Sequence, residues 1–289
     1  EETRANDILS VPAQMMALIN ELRERPRKLA HLHAVYCSAA MCPAWIWPAI
    51  RETLGVSDVI TGYGMTEVCG ASMQTAPDDS DEILQTRVGK LLPAGSSGLA
   101  RFGGYQLAYR VVDRKTQQDC PPGEVGELWC KGAVVTKGYF KRDQANRRVF
   151  TDDGWFKTGD CGCFDEKGYL IFAGRVDDMY KINGENVSPQ FLEEVLSQCD
   201  QIHTVAITGV PDQKHGSVGA AFIQLYEDSP VNREKAESYA RAHLAKFQVP
   251  KYFIYMKQED WPRTASGKIQ KFHLKEMARA AAENAAGNK

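Results

Sequence analysis

Residues 174–189 read Gly-Arg-Val-Asp-Asp-Met-Tyr-Lys-Ile-Asn-Gly-Glu-Asn-Val-Ser-Pro, and two textures of sequence meet in them. The opening Gly174-Arg175-Val176-Asp177-Asp178 is a charged strip between apolar patterns, the composition of a linker that few contacts cross. The closing Ser188-Pro189 is a helix start, because a serine hydroxyl can accept an orphan amide at the N-cap and proline's fixed φ suits the first turn. The helix it opens is expected to carry Phe191, Leu192, Val195, Leu196 and Cys199 on one face. Strand-like Val205–Val210 and Ala220–Leu225 follow, then a helix near Arg233–Lys246, and the alanine-rich stretch after Met277 reads as a fraying helix end.

Before the strip, Gly104 to Phe172 is a series of short β runs separated by glycine and proline turns: Leu107–Val112, Gly126–Cys130, Val134–Tyr139 and Gly168–Phe172. That pattern predicts a small barrel or sandwich. From Asp7 to about Cys69, helical stretches alternate with short apolar runs. Leu18, Ile19 and Leu22, then Leu29 and Leu32 beyond a charged stretch, predict helix, while His33–Tyr36 and Asp58–Thr61 predict buried strands. The expected fold class is α/β. Its organisation is a large domain over residues 1–174 with a β-barrel subdomain at about 105–174, a linker at 175–178, and a small α+β domain over 179–289.

The 289 residues are 43% hydrophobic and 25% charged, enough to bury two cores. Lysine and arginine number 35 against 37 acids, a formal charge of −2, so no global field draws the chain to nucleic acid or an anionic membrane. The basic tail from Arg263 reads as a solvated helix face, and no nucleic-acid partner is expected. The longest apolar runs, Val249–Met256 and Leu196–Val210, are short or interrupted by charge, whereas a spanning helix needs about 18 apolar residues, so no transmembrane segment is expected. Eight cysteines are scattered at 37, 42, 69, 120, 130, 161, 163 and 199 with no CxxC pair. They fit a reducing compartment, intracellular and by default cytoplasmic. Cys161 and Cys163 flank a glycine, but two ligands do not make a zinc site, and they read as buried strand thiols.

Familiar nucleotide fingerprints fail. Gly62-Tyr63-Gly64-Met65-Thr66-Glu67 begins like GxGxxG but ends in glutamate. Ser266-Gly267-Lys268-Ile269 lacks the P-loop hydroxyl, and Pro262 stands where its first glycine should be. Read as chemistry, Thr61–Glu67 still offers a glycine turn, an aromatic face, a hydroxyl and a carboxylate, parts for a base, a phosphate and a magnesium ion. Gly154–Asp160 places an acid after a glycine turn, and one carboxylate can accept two hydrogen bonds from a ribose diol. Pro262–Lys268 presents one lysine from small residues. Taken singly, the first is equally an ordinary strand-to-helix turn, while the second reads more readily as a turn-stabilising aspartate and the third as a surface lysine.

Together and in order they carry a resemblance. The stretches YGMTE at 63–67, PPGEVGELW at 121–129, GWFKTGD at 154–160, GRVDDMYKINGENVSP at 174–189 and PRTASGKIQK at 262–271 resemble the adenylate-forming superfamily of acyl-CoA synthetases, peptide adenylation domains and firefly luciferase. The resemblance covers about Ile8 to Met277. PKYFIY at 250–255 followed by SGKIQKFHLKE looks most like fatty and medium-chain acyl-CoA synthetases. It implies an ATP-dependent ligase that joins a carboxylic acid, in this branch a fatty acid, to coenzyme A through an acyl-adenylate, with Mg²⁺. Residue by residue, it implies that Tyr63 stacks on adenine with Gly64 beside it in the nucleotide site, Thr66 meets the α-phosphate, and Glu67 holds Mg²⁺. Asp160 takes the ribose hydroxyls with Arg175 in support, Asp177 is the hinge to a small C-terminal lid, and Lys268 bridges carboxylate and phosphate. In the second half-reaction the Lys181–Asn186 loop replaces Lys268, and Gly184 leaves room for the pantetheine arm.

Two departures stand against the pattern. The segment matching Tyr36–Pro43 is usually glycine-rich, whereas here it reads YCSAAMCP, which adds methyl groups at Ala39 and Ala40 beside the implied adenine edge. The Ser/Thr/Gly-rich phosphate loop is expected upstream of Glu1, so the chain reads as the C-terminal half of a synthetase whose N-terminal half is its missing partner. An aryl or peptide adenylation branch and a non-catalytic nucleotide- or acyl-binding remnant remain the alternatives.

Overall fold

The computed structural model describes residues 4–40, 42–93, 95–264 and 267–287. Its contacts divide the chain into two compact units, Glu1–Ala173 and Gly174–Lys289.

In the first unit, β1 (Asp7–Ser10), β2 (Ala34–Cys37) and β3 (Asp58–Ile60) pair in parallel in that order. Parallel neighbours need crossovers, supplied by α1 (Pro12–Glu24) and α2 (Ile46–Leu54). Met15, Ile19 and Leu22 share one face of α1 and bury it against Ile46, Trp47 and Ile50 of α2 and Val35 and Val59 of the sheet. Pro26, with no amide hydrogen, follows directly on the cap of α1 at Arg25. Leu29 and Leu32, expected as helix, therefore lie in the irregular segment before β2, packed on the same core.

The chain then forms β4 (Gly62–Met65), β5 (Gly70–Gln74), α3 (Asp81–Thr86) and β6 (Lys90–Leu91), with the three strands antiparallel in the order β4-β5-β6. A second antiparallel sheet follows from β7 (Leu107–Val112), β8 (Gly126–Gly132), β9 (Phe156–Phe164) and β10 (Leu170–Arg175), with α4 (Asp143–Val149) between β8 and β9. Val88 N donates to Leu170 O at 3.0 Å and Leu170 N to Gly89 O at 2.9 Å, coupling the two sheets along one edge. Tyr63, Met73, Leu128 and Leu170 fill the interior between them. The region at about 105–174, expected as a barrel, holds the four-stranded β7–β10 sheet, and the β4–β6 sheet that packs with it comes from earlier in the chain. Val134–Tyr139, expected as one of its strands, is a loop: Gly138 has φ +135° and the Thr136 amide donates to Glu67 O at 2.7 Å rather than to a ladder.

In the second unit, β11 (Tyr180–Ile182) and β12 (Glu185–Val187) make a hairpin through Asn183 and Gly184, both at positive φ, the turn that Asn-Gly favours. Next come α5 (Pro189–Leu196), β13 (Ile202–Asp212), β14 (Gly216–Leu225), α6 (Pro230–His243), β15 (Tyr252–Tyr255) and α7 (Lys271–Gly287). The sheet order is β12-β11-β14-β13, with β15 parallel to β14. Alternation along β13 and β14 feeds two cores: Ile207, Ala221 and Ile223 meet α5 and α6, while Ala206, Phe222 and Ala220 meet Leu274 and Ala278 of α7. Ser188 caps α5, its hydroxyl accepting from Phe191 N, as its sequence implies. The buried stripe, however, is Pro189, Leu192, Glu193 and Leu196; Phe191 falls off it and is 48% exposed. Among the described residues no helix is long and apolar enough to cross a membrane.

Candidate functional site

In the first unit the candidate site is built on an irregularity of β structure. Between Glu127 and Trp129 of β8 stands one residue, whereas the facing stretch of β9, between Cys161 and Lys157, holds Thr158, Gly159 and Asp160. Such a bulge re-aims a side chain. Gly159 accommodates it at φ +72°, and Thr158 pins it by donating to Leu128 O at 2.7 Å and accepting from Asp160 N at 3.0 Å. The bulge turns Asp160 inward, only 4% exposed, to accept from the Tyr63 hydroxyl at 2.7 Å on Oδ2. The Tyr63 ring packs against Phe172 and Tyr109 at centroid separations of 5.7 and 6.2 Å. Burial, then the neighbouring Asp160 charge, push the Tyr63 phenol far above its ordinary range, so it stays a proton donor. Tyr63 and Asp160, distant in sequence, are thus brought together.

Glu67 sits on a single turn of 3₁₀ helix at Thr66–Val68, immediately after β4. Its Oε1 accepts from the Tyr139 hydroxyl at 2.7 Å, and its carbonyl takes the Thr136 amide. Thr66 is exposed and Gly64 packs so closely on β5 that a Cβ there would overlap Gly70 O. Val68 is buried with Leu107, Cys130 and Phe156 as a core residue. Tyr139 was not anticipated from the sequence, where its apolar neighbours imitate a strand. Its signal is the Gly138-Tyr139 step, fixed by Asn146, which accepts from Tyr139 N at 2.7 Å and donates to Tyr139 O at 3.0 Å. Among the described residues no group of three His, Cys, Asp or Glu side chains could hold a metal, Cys161 and Cys163 included. A single carboxylate such as that of Glu67 can share a magnesium ion with phosphate oxygens and water.

The segment matching Tyr36–Pro43 is tied to the same strand: Ser38 donates to Gly62 O at 2.6 Å, and a Cβ on Gly62 would overlap Tyr36 Oη. Ala39 holds φ +72°, a conformation in which glycine carries less strain. Met41 lies outside the described residues.

In the second unit, Arg175 ends β10, and its carbonyl accepts from Asp178 N at 3.1 Å and Met179 N at 3.2 Å, closing a turn that contains Asp177. Gly184 forms the β11–β12 tip at φ +90°, and a Cβ there would meet nothing within 4 Å. Its requirement for glycine is conformational. Lys268 is exposed on a tight hairpin: Thr264 N donates to Lys268 O at 2.9 Å, Lys268 N to Thr264 Oγ1 at 3.1 Å, and Arg263 Nη1 to Gly267 O at 2.9 Å. Ala265 and Ser266 of this motif lie outside the described residues. Glu193 is a further unanticipated polar residue. Fully inside, it accepts from Ile207 N at 2.6 Å and pairs with Lys271 Nζ at 2.7 Å.

Residues 1–140 match the family model described as AMP-binding enzyme, and residues 192–268 match the AMP-binding enzyme C-terminal domain. The chain is 37% identical over 216 residues to 2-succinylbenzoate–CoA ligase of Bacillus licheniformis, covering 75% of this chain and 41% of that protein. It is 27% identical over 276 residues to the mitochondrial medium-chain acyl-CoA ligase ACSF2 of Danio rerio, covering 96% and 43%. Among solved structures, ATP-bound MatB from Rhodopseudomonas palustris superposes with a TM-score of 0.82 at 28% identity, over 95% of this chain and 51% of that one. The chain spans about half the length of the curated relatives it matches.

Proposed function

The chain belongs to the AMP-binding enzyme family, and from that premise we propose that it supplies much of the nucleotide site and the lid of an AMP-forming acyl-CoA ligase. In the first half-reaction a carboxylate oxygen attacks the α-phosphorus of ATP and the bond to the β-phosphate oxygen breaks, giving acyl-AMP and pyrophosphate. In the second, the coenzyme A thiol loses its proton and attacks the acyl carbon, and AMP departs. The observation that carries this reading is the bulge that delivers buried Asp160 to Tyr63 directly beside the Glu67 turn. Asp160 receives the ribose hydroxyls, with Arg175 in support, and Tyr63 holds that carboxylate while offering its ring to adenine beside Gly64. Thr66 meets the α-phosphate. When bound, magnesium neutralises phosphate charge, and Glu67 is the carboxylate that holds it.

Lys268 brings a compact positive charge to the developing charge on carboxylate and phosphate. Lys268 is exposed, as a group that must approach and withdraw requires. Asp177 is the hinge, and the Lys181–Asn186 hairpin with Gly184 serves the thioester-forming step.

Within this reading the acid is a fatty acid of medium length, supported by PKYFIY at 250–255 and SGKIQKFHLKE. The 37% identity to a 2-succinylbenzoate ligase favours an aryl acid as the second reading. ATP–pyrophosphate exchange by the complete ligase, measured over short, medium and long alkanoates and over aryl acids, separates them: exchange is expected with medium alkanoates, and exchange confined to aryl acids overturns the fatty assignment. The 289-residue chain by itself is expected to give no exchange above a Lys268→Ala control.

A further inference from the structure

We propose that Lys275 is a positioning residue that latches the Arg175–Asp178 turn and thereby sets the balance between the two half-reactions; the inference rests on the reading of Asp177 as the hinge. Lys275 Nζ donates to Asp177 O at 2.8 Å and to Asp178 Oδ1 at 2.9 Å. The pair is largely withdrawn from water, with side-chain exposures of 28% for Lys275 and 22% for Asp178. One ammonium therefore grips both a backbone oxygen and a carboxylate on consecutive residues of the turn.

The support behind this grip is rigid. Leu274 and Ala278, on α7 beside Lys275, are fully buried against β13 and β14. One turn earlier, Lys271 pairs with buried Glu193. The Lys268 hairpin runs straight into this helix, since Gln270 N donates to Pro262 O at 2.8 Å and His273 N to Gln270 O at 3.1 Å. A single packed helix thus carries the lysine assigned to adenylation at its entrance and holds the hinge turn from its second turn.

The direction of a carbonyl is set by its residue's ψ. A hinge rotation about Asp177 swings its oxygen away from Lys275, and a hydrogen bond weakens steeply once its angle falls below about 120°. Hinge positions at element ends absorb large changes of this kind, and Asp177 lies between β10 and β11. Lys275 accordingly favours one hinge conformer and must release at each turnover. Charge-assisted bonds of this sort, discounted for partial exposure, bias such an equilibrium by about tenfold.

The test compares Lys275→Met and Lys275→Gln, which lose the charge, with Lys275→Arg, which keeps it, all in the complete ligase. Pyrophosphate release and thioester formation from supplied acyl-AMP are measured separately, alongside hydrogen exchange at the Asp178 and Met179 amides. In the uncharged variants the ratio of the two half-reaction rates is expected to shift about tenfold, the two amides to exchange faster, and arginine to restore both. An unchanged ratio, or an equal fall in both steps that arginine does not rescue, overturns the latch. Asp177→Pro separates this from failure of the hinge itself: proline fixes φ and restricts Val176, so adenylation should survive and thioester formation fail. If that variant runs both steps at wild-type rates, the hinge reading falls and the latch with it; if it blocks one step while the Lys275 variants keep the wild-type ratio, only the latch falls.

Discussion

Lys268 owes its proposed role to a hairpin whose backbone bonds are already made, so its side chain can be removed without disturbing the loop. Lys268→Ala should slow acyl-AMP formation on the order of 10² or more, the scale of losing one preorganised charge at a reacting centre. Thioester formation from supplied acyl-AMP should be nearly unchanged, and equal losses in single-turnover assays of both steps would remove Lys268 from adenylation. The individual residues also differ in how legible they were. Tyr63, Glu67 and Asp160 belong to the short glycine-bearing stretches Gly62–Glu67 and Gly154–Asp160, which are local features of the chain. Tyr139 and Glu193 are harder to read: one sits in a run with the composition of a strand, the other is a charge within a helical stripe. Each also meets a partner distant in sequence, Glu67 in one case and Lys271 in the other.

The bulge in β9 exists because Gly159 tolerates φ +72°. Gly159→Ala should introduce about 1–2 kcal/mol of backbone strain, relax the bulge and turn Asp160 from its position. The expected readout is a rise of roughly tenfold in KM for ATP with kcat less affected, in proportion to a binding loss of about 1.4 kcal/mol; lowered stability with unchanged KM would make the bulge merely architectural. Between α5 and α7 the buried pair makes a pH-dependent prediction. Burial raises the Glu193 carboxyl above its ordinary 4.5, while Lys271 and the Ile207 amide pull it back. A raised acid contributes most to stability below its unfolded pKa and loses that contribution as pH rises through its folded value. Lys271→Met should therefore destabilise by about 3 kcal/mol at neutral pH, where a buried carboxylate is left alone. The loss should shrink as pH falls to 4.5 and below, and urea unfolding at both pH values checks it; an equal loss at each would mean that packing, not charge, is what Lys271 contributes.

Across the chain, hydrophobic period was a good guide to which elements exist, because α1 and α5 each bury one regular face and β13 and β14 read as continuous apolar runs buried on both faces. Periodicity could not tell that Leu29 and Leu32 settle on the core from a loop, since Pro26 stops the helix but leaves their apolar character intact. Nor could it supply the coupling of the two antiparallel sheets, which depends on Val88 and Gly89 meeting Leu170 far along the chain. The same distance in sequence gives the Glu193–Lys271 pair a historical consequence. A lineage that first loses Lys271 strands a carboxylate in the interior, and one that first loses Glu193 leaves the buried Ile207 amide without its acceptor. Descent through either single step passes through a weakened protein, so the two sites should be inherited as a couple and exchanged, when they are exchanged, together.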